Sequence, residues 1–235
     1  MKFYNALKEL SGFELILWVL SLMVITASFV IGGSNEWLTL IASLTGATAL
    51  IFTAKGNVWG QILTLIFSIM YAVISLKFRY YGEMITYLFM TSPIAALSII
   101  EWIKHPFEKG KNEVSVSRLS KKQVASVIIL TVLVTFIFYF ILKAFDTANL
   151  IVSTISIATS FSASYLMLLR SPFYALAYGM NDVVLIVLWV LASFEDASYI
   201  PMIACFVMFL ANDIYGFYNW GRMKKRQEEA NKKTA

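Results

Sequence analysis

Asn181-Asp182 and Asn212-Asp213 are the residues of this chain best placed to do chemistry. Asp182 lies inside an apolar run at 171–194, and Asp213 inside another at 199–220. A carboxyl group at membrane depth costs at least about 3 kcal/mol, so it persists where it faces a polar partner or a watery cavity. Each is preceded by an asparagine, whose amide both donates and accepts hydrogen bonds. The doubled pair therefore marks a candidate substrate site in lipid. Hydrogen bonding between the two helices is the plainer use of the same residues, although serine or asparagine alone would serve it.

Helical spacing adds neighbours to these pairs. Tyr178, Asp182, Leu185 and Trp189 share a face of the first run, with Asn181 beside them. Asn212, Tyr215 and Asn219 share a face of the second, with Asp213, Phe217 and Trp220 adjoining. Earlier in the chain Gln61, Ser68 and Tyr71 recur at intervals of seven and three, but no carboxylate there answers Asp182. Substrate is thus expected to lean toward the second half of the chain. Amides, carboxylates and aromatic plates together suit a flat heterocycle bearing a ribose, and a cationic ring would favour both the rings and the acids. A small polar stripe, Ser153, Ser156, Ser160 and Ser164, fits either helix packing or a permeation path.

Other chemistries find little support. The single cysteine, Cys205, has no partner for a disulfide or a thiolate metal site. No phosphate-cradling Gly-x-x-x-x-Gly-Lys loop occurs. No catalytic residue, metal site or cofactor is expected. Two intramembrane aspartates could in principle form a protease dyad, but Gly179-Met180-Asn181-Asp182 lacks the Gly-x-Gly-Asp turn of that class. A proton-coupled symporter using one raised carboxyl group stays open.

The elements that must hold these residues are membrane helices. Of 235 residues, 59% are hydrophobic and 14% charged, against about 25% charged in a soluble domain. The backbone finds no partners in lipid, so each long apolar run is a helix. Eight are expected, at 13–31, 37–54, 58–76, 84–103, 124–142, 148–169, 171–194 and 199–220. Pro172 and Pro201 fall in first turns, where a missing N–H costs nothing. Pro93 falls mid-run and predicts a kink, as a gate or a static bend.

With the N-terminus inside, sixteen Lys and Arg fall on the cytoplasmic side and only Lys77, Arg79 and Lys143 opposite. The positive-inside rule then places both termini in the cytoplasm. The basic residues flank helices without a recognition motif, so membrane lipids are expected partners and nucleic acid is not.

The chain also divides. A basic loop and one helix separate two three-helix blocks. Lys55-Gly56-Asn57 matches Arg170-Ser171-Pro172 at an offset of 115, and Glu101-Trp102 matches Asn219-Trp220 at 118. The expected units are a first segment with an additional helix (1–35), a first repeat (36–104), a loop and linker helix (105–146), a second repeat (147–222) and a polar cytoplasmic tail (223–235). One intervening helix makes the two blocks enter the membrane in the same direction, a parallel repeat like that of SWEET transporters. The fold class is an all-α polytopic membrane protein arranged one-three-one-three.

Lys55-Gly56-Asn57-Val58-Trp59-Gly60, Tyr80-Tyr81-Gly82, Glu101-Trp102, Asn181-Asp182 and Asn212-Asp213-Ile214-Tyr215 running to Trp220 together resemble the PnuC-type vitamin transporters. That resemblance implies a SWEET-like trimer moving nicotinamide riboside by facilitated diffusion, trapped by cytoplasmic phosphorylation. It implies that Asn181 and Asn212 are ligand-binding amides, with Asp182, Asp213 and Tyr215 beside them. A tryptophan is usual a turn before the first asparagine, where this chain has Ala177 and Tyr178. Relatives of this architecture carry thiamine, riboflavin or deoxynucleosides.

Overall fold

The computed structural model describes residues 3–32, 36–77, 80–108, 112–147 and 149–234. Lys2, Arg79, Lys109 and Lys111 of the charge count, and position 148 where the sixth run was expected to begin, lie outside them.

A short α1 (Phe3–Lys8) precedes α2 (Gly12–Ile31), which Ser11 and Glu14 open with a reciprocal capping box. The first block follows as α3 (Trp37–Ala54), α4 (Val58–Lys77) and a composite helix. The composite consists of α5 (Tyr81–Thr86), a π-helical turn (Tyr87–Thr91) and α6 (Ser92–Lys104). The linker α7 (Lys121–Ala144) leads to α8 (Leu150–Leu168), α9 (Phe173–Ser193) and α10 (Ile200–Thr234). Among the described residues, eight of these segments are long and apolar enough to cross a membrane. The all-helical, eight-span architecture is therefore as the sequence implied.

Three boundaries differ for physical reasons. The fourth span starts at Tyr81 rather than 84, because Gly82 lets the helix lie against Leu142, whose Cδ2 would be 2.5 Å from an added Cβ. Pro93 falls where the fourth span changes from a π turn to α-helix. It sits in the first turn of α6, just after the π turn, and Ser92 Oγ donates to the Tyr87 carbonyl at 2.7 Å. The polar stretch after Trp220 continues α10 as a helix, consistent with its Lys, Arg, Gln and Glu content and with Lys224 placed four residues before Glu228.

The blocks interlock crosswise. The first helix of one packs on the last of the other: α3 on α10, and α8 on α6. Trp102 at the end of α6 donates its indole N–H to the Met167 carbonyl on α8 (3.4 Å). Trp220 on α10 donates to the Thr53 carbonyl on α3 (2.9 Å). Helix α7 lies outside this core, with Leu142 its only buried residue among those described. Helix α2 docks on α3 and α10, where buried Glu14 accepts from Lys55 Nζ (3.0 Å) and Tyr215 Oη (2.7 Å).

On one face of the bundle the segment after α6 ties both blocks together. Val114 N donates to the Gly56 carbonyl (2.9 Å), and Ser117 N to the Arg170 carbonyl (3.0 Å). Gly56 and Arg170 end α3 and α8 in the left-handed conformation, with φ of 66° and 57°. Each closes the same 6→1 bond, Asn57 N to Phe52 O and Ser171 N to Leu166 O. For arginine this costs roughly 1–2 kcal/mol, and the Arg170 side chain is anchored by donating to Ser115 Oγ at 2.8 Å. Burial lowers the basicity of that guanidinium, opposed by Glu101 3.5 Å away.

Candidate functional site

The middle helices of the two blocks, α4 and α9, face one another across an internal cavity. Thr64, Phe67 and Ser68 come from α4, and Tyr178, Asn181 and Asp182 from α9. Gly46 and Thr53 of α3, Tyr87 and Thr91 of the π turn, and Phe206, Phe209 and Asp213 of α10 close it. The π turn brings Tyr87 and Thr91 onto one wall, a use of such turns common at functional sites. Gly46 has to lack a side chain, since a Cβ would lie 2.4 Å from the Phe209 ring and 3.0 Å from Phe67.

The carboxyl groups of Asp182 and Asp213 lie within hydrogen-bonding reach of each other. Two carboxylates so close repel each other, which favours a cation between them. Both residues are 3% exposed, and Asp182 Oδ2 has no internal partner. Helix α8 orients their neighbours. Thr159 donates to Asn181 Oδ1 (2.8 Å), leaving the amide N–H pair to serve the cavity, and Ser164 Oγ bonds the Tyr178 hydroxyl (2.9 Å). Thr53 Oγ1 and Thr91 Oγ1 are also buried without a partner, which makes them available to a bound molecule. Among the described residues, no lysine, arginine or histidine lines the cavity.

In this conformation the cavity measures about 60 Å³. That holds a few waters at roughly 10–15 Å³ each, well below the roughly 300 Å³ at which ligand pockets begin. Admitting a nucleoside requires the Phe67, Tyr87, Phe206 and Phe209 rings to part.

Of the residues singled out by sequence, Tyr178, Asn181, Asp182 and Asp213 line this cavity. Gln61 lies next to it, in a crevice shared with Thr64, Thr91 and Tyr178, and its Nε2 is unpartnered. Tyr71 packs on two of the lining rings, Phe67 at 5.5 Å and Tyr87 at 4.3 Å. The others point elsewhere. Asn212 donates to Ser21 Oγ of α2 (2.9 Å) and to the Met208 carbonyl (2.8 Å), while Tyr215 bonds Glu14. Asn219 donates to the Ala54 carbonyl (2.9 Å) and Trp220 to that of Thr53. Trp189 packs between Tyr80 and Tyr199. The α10 face that carries these residues is a docking face for α2 and α3, and Asp213, one position round, is the residue it sends inward. None of the four α8 serines lines the main cavity.

A carboxylate near the cavity escaped the sequence reading. Glu83 is 3% exposed, accepts a 3.4 Å bond from Ser156 Oγ and has Oε2 unpartnered. Starting the fourth helix at 84 assigned Glu83 to a loop. Its position directly before an apolar run was the available signal. Tyr87, which lines the cavity, follows Glu83 by four residues, so the first block does contribute a buried acid near the site.

Residues 36–222 match the family model described as nicotinamide mononucleotide transporter. This chain belongs to that family. A relative in Neisseria mucosa, named nicotinamide riboside transporter PnuC, is 28% identical over 214 residues, covering 89% of this chain and 81% of its own length. Its namesake in Haemophilus influenzae is 24% identical over 194 residues, covering 82% of each. A solved structure described as the crystal structure of the vitamin B3 transporter PnuC superposes with a TM-score of 0.81 at 26% identity, covering 93% of this chain and 94% of that one. The chain is thus a multi-pass membrane protein of a transporter family.

Proposed function

We propose that this chain carries nicotinamide riboside into a bacterial cell by facilitated diffusion, with alternating access around the Asp182–Asp213 contact. The names borne by its relatives support the substrate. The observation that carries the reading is an aromatic cavity lined by two neighbouring carboxyl groups and, among the described residues, by no basic side chain. A pyridinium ring supplies the missing positive charge and stacks on Tyr or Phe faces, while the ribose hydroxyls find Asn181, Thr53 and Thr91. The same cavity disfavours the mononucleotide named in the family description, because its phosphate would be desolvated beside two acids.

The crosswise packing of α3 on α10 and α8 on α6, with matched indole bonds, supports two parallel repeats that rock against each other. The distribution of Lys and Arg supports cytoplasmic termini. The resemblance supports a homotrimer whose substrate is retained by phosphorylation inside the cell, with the transporter performing no chemical step itself.

Proteoliposomes holding the purified chain test this. Nicotinamide riboside is expected to equilibrate across the membrane, and nicotinamide mononucleotide to be excluded. Accumulation of the riboside above equilibrium under an imposed pH gradient would replace facilitated diffusion with proton symport. Uptake of thiamine, riboflavin or a deoxynucleoside with none of the riboside would reassign the substrate.

A further inference from the structure

A second concavity lies where α9 begins and α10 leaves the apolar core, its Phe217 one helical turn beyond the cavity residue Asp213. It encloses about 550 Å³ and is lined by apolar and basic groups in two tiers. Phe173, Phe217 and Tyr218 form one tier, each between 40% and 62% exposed. Arg118, Arg222, Lys224 and Lys225 form the other, against the single carboxylate Glu228. Arg118 Nε bonds Glu228 at 2.8 Å, and the Arg222 guanidinium stands 5.7 Å from the Tyr218 ring centre. None of these residues lines the transport cavity.

We propose that this groove is a binding site for an anionic phospholipid. Exposed aromatic rings at the end of an apolar span mark the membrane–water boundary, so a lipid is the molecule that would present acyl chains to the rings and a phosphate to the cations beyond. Charge complementarity favours an anionic headgroup: four basic side chains outnumber one acid. A zwitterionic lipid would bring a cationic group into the same space. The lining residues come from the segment after α6, from α9 and from α10, so one lipid would tie that segment to the second block on the face where Ser117 already holds the Arg170 turn.

The test uses the purified full-length protein in detergent, with phosphatidylglycerol, phosphatidylcholine and inorganic phosphate added separately, read by native mass spectrometry and thermal stability. Phosphatidylglycerol is expected to bind and stabilise more than phosphatidylcholine, and phosphate to do neither. Each Lys or Arg near an anionic surface contributes about fivefold in affinity, so Arg222→Gln with Lys225→Gln should weaken the phosphatidylglycerol complex roughly 25-fold. The double variant should keep wild-type uptake in liposomes. Raising salt on the unaltered protein should also erode the preference, which gives a readout that no folding defect can imitate. Equal binding of the two lipids, a preference insensitive to both salt and the substitutions, or an equal response to free phosphate would each overturn the proposal.

Discussion

Trp102 and Trp220 meet with ring centroids 5.6 Å apart, and each donates its indole N–H to a helix-terminal carbonyl of the opposite block. Both side chains are at most 1% exposed. The two bonds sit at corresponding places, since Thr53 and Met167 each lie three residues before a left-handed turn residue, Gly56 or Arg170. The tryptophans therefore clamp the two halves at one end of the transport cavity. Replacing Trp220 with Phe keeps a ring and deletes the donor. The expected cost is about 1 kcal/mol, the net worth of one hydrogen bond, since the Thr53 carbonyl still accepts from Gly56 N. Thermal unfolding should shift down by roughly 2–4 °C, and an unchanged midpoint would argue against the clamp.

Asp182→Asn and Asp213→Asn test the charge argument. Each removes a negative charge with little change in shape. Uptake of cationic nicotinamide riboside is expected to fall at least tenfold, about 1.4 kcal/mol, while its uncharged dihydro form should pass nearly as before. Equal losses for both forms would mean that the acids hold the helices rather than the substrate.

Glu83→Gln extends the comparison to the acid contributed by the first block. If Glu83 shapes the field felt by an entering cation through Tyr87, riboside transport should weaken while the dihydro form is spared. Glu83→Asp should recover part of the loss. A lowered melting temperature with both substrates slowed alike would instead assign Glu83 a packing role with Ser156.

Asn212 gives the sharpest contrast with its partner motif. Its amide is engaged with Ser21 of α2, so Ser21→Ala should reproduce most of the stability loss of Asn212→Ala, near 1 kcal/mol each, with the double variant less than additive. Thr159→Val, by contrast, releases the Asn181 amide and should raise the KM for uptake with a smaller effect on melting. Similar stability profiles for the Asn212 and Thr159 variants would erase the distinction between a docking amide and a cavity amide.

Gly46→Ala probes the cavity itself. The added Cβ meets the Phe209 ring at 2.4 Å, so that ring must move into space the substrate needs. Uptake should drop more than tenfold in proteoliposomes, and wild-type rates would show that the ring has free space elsewhere.

Much of this protein was determined by sequence alone. An apolar run in lipid has one backbone solution, so the eight spans and most of their ends follow from composition and length, with α3 matching residue for residue. The cost of a buried acid likewise made Asp182 and Asp213 legible before any coordinates. What only the tertiary structure decided is direction. Asn212 and Asp213 are adjacent, about 100° apart around a helix, and periodicity does not say which of them faces the other block and which faces α2. That choice depends on where α2 docks, set by Glu14, Lys55 and Tyr215 far apart in the chain. Glu83 was hidden for a related reason: whether a helix starts three residues sooner depends on Gly82 meeting Leu142 of α7, a contact between segments 60 residues apart. Local pattern determined the helices, and long-range packing chose which of their faces became the site.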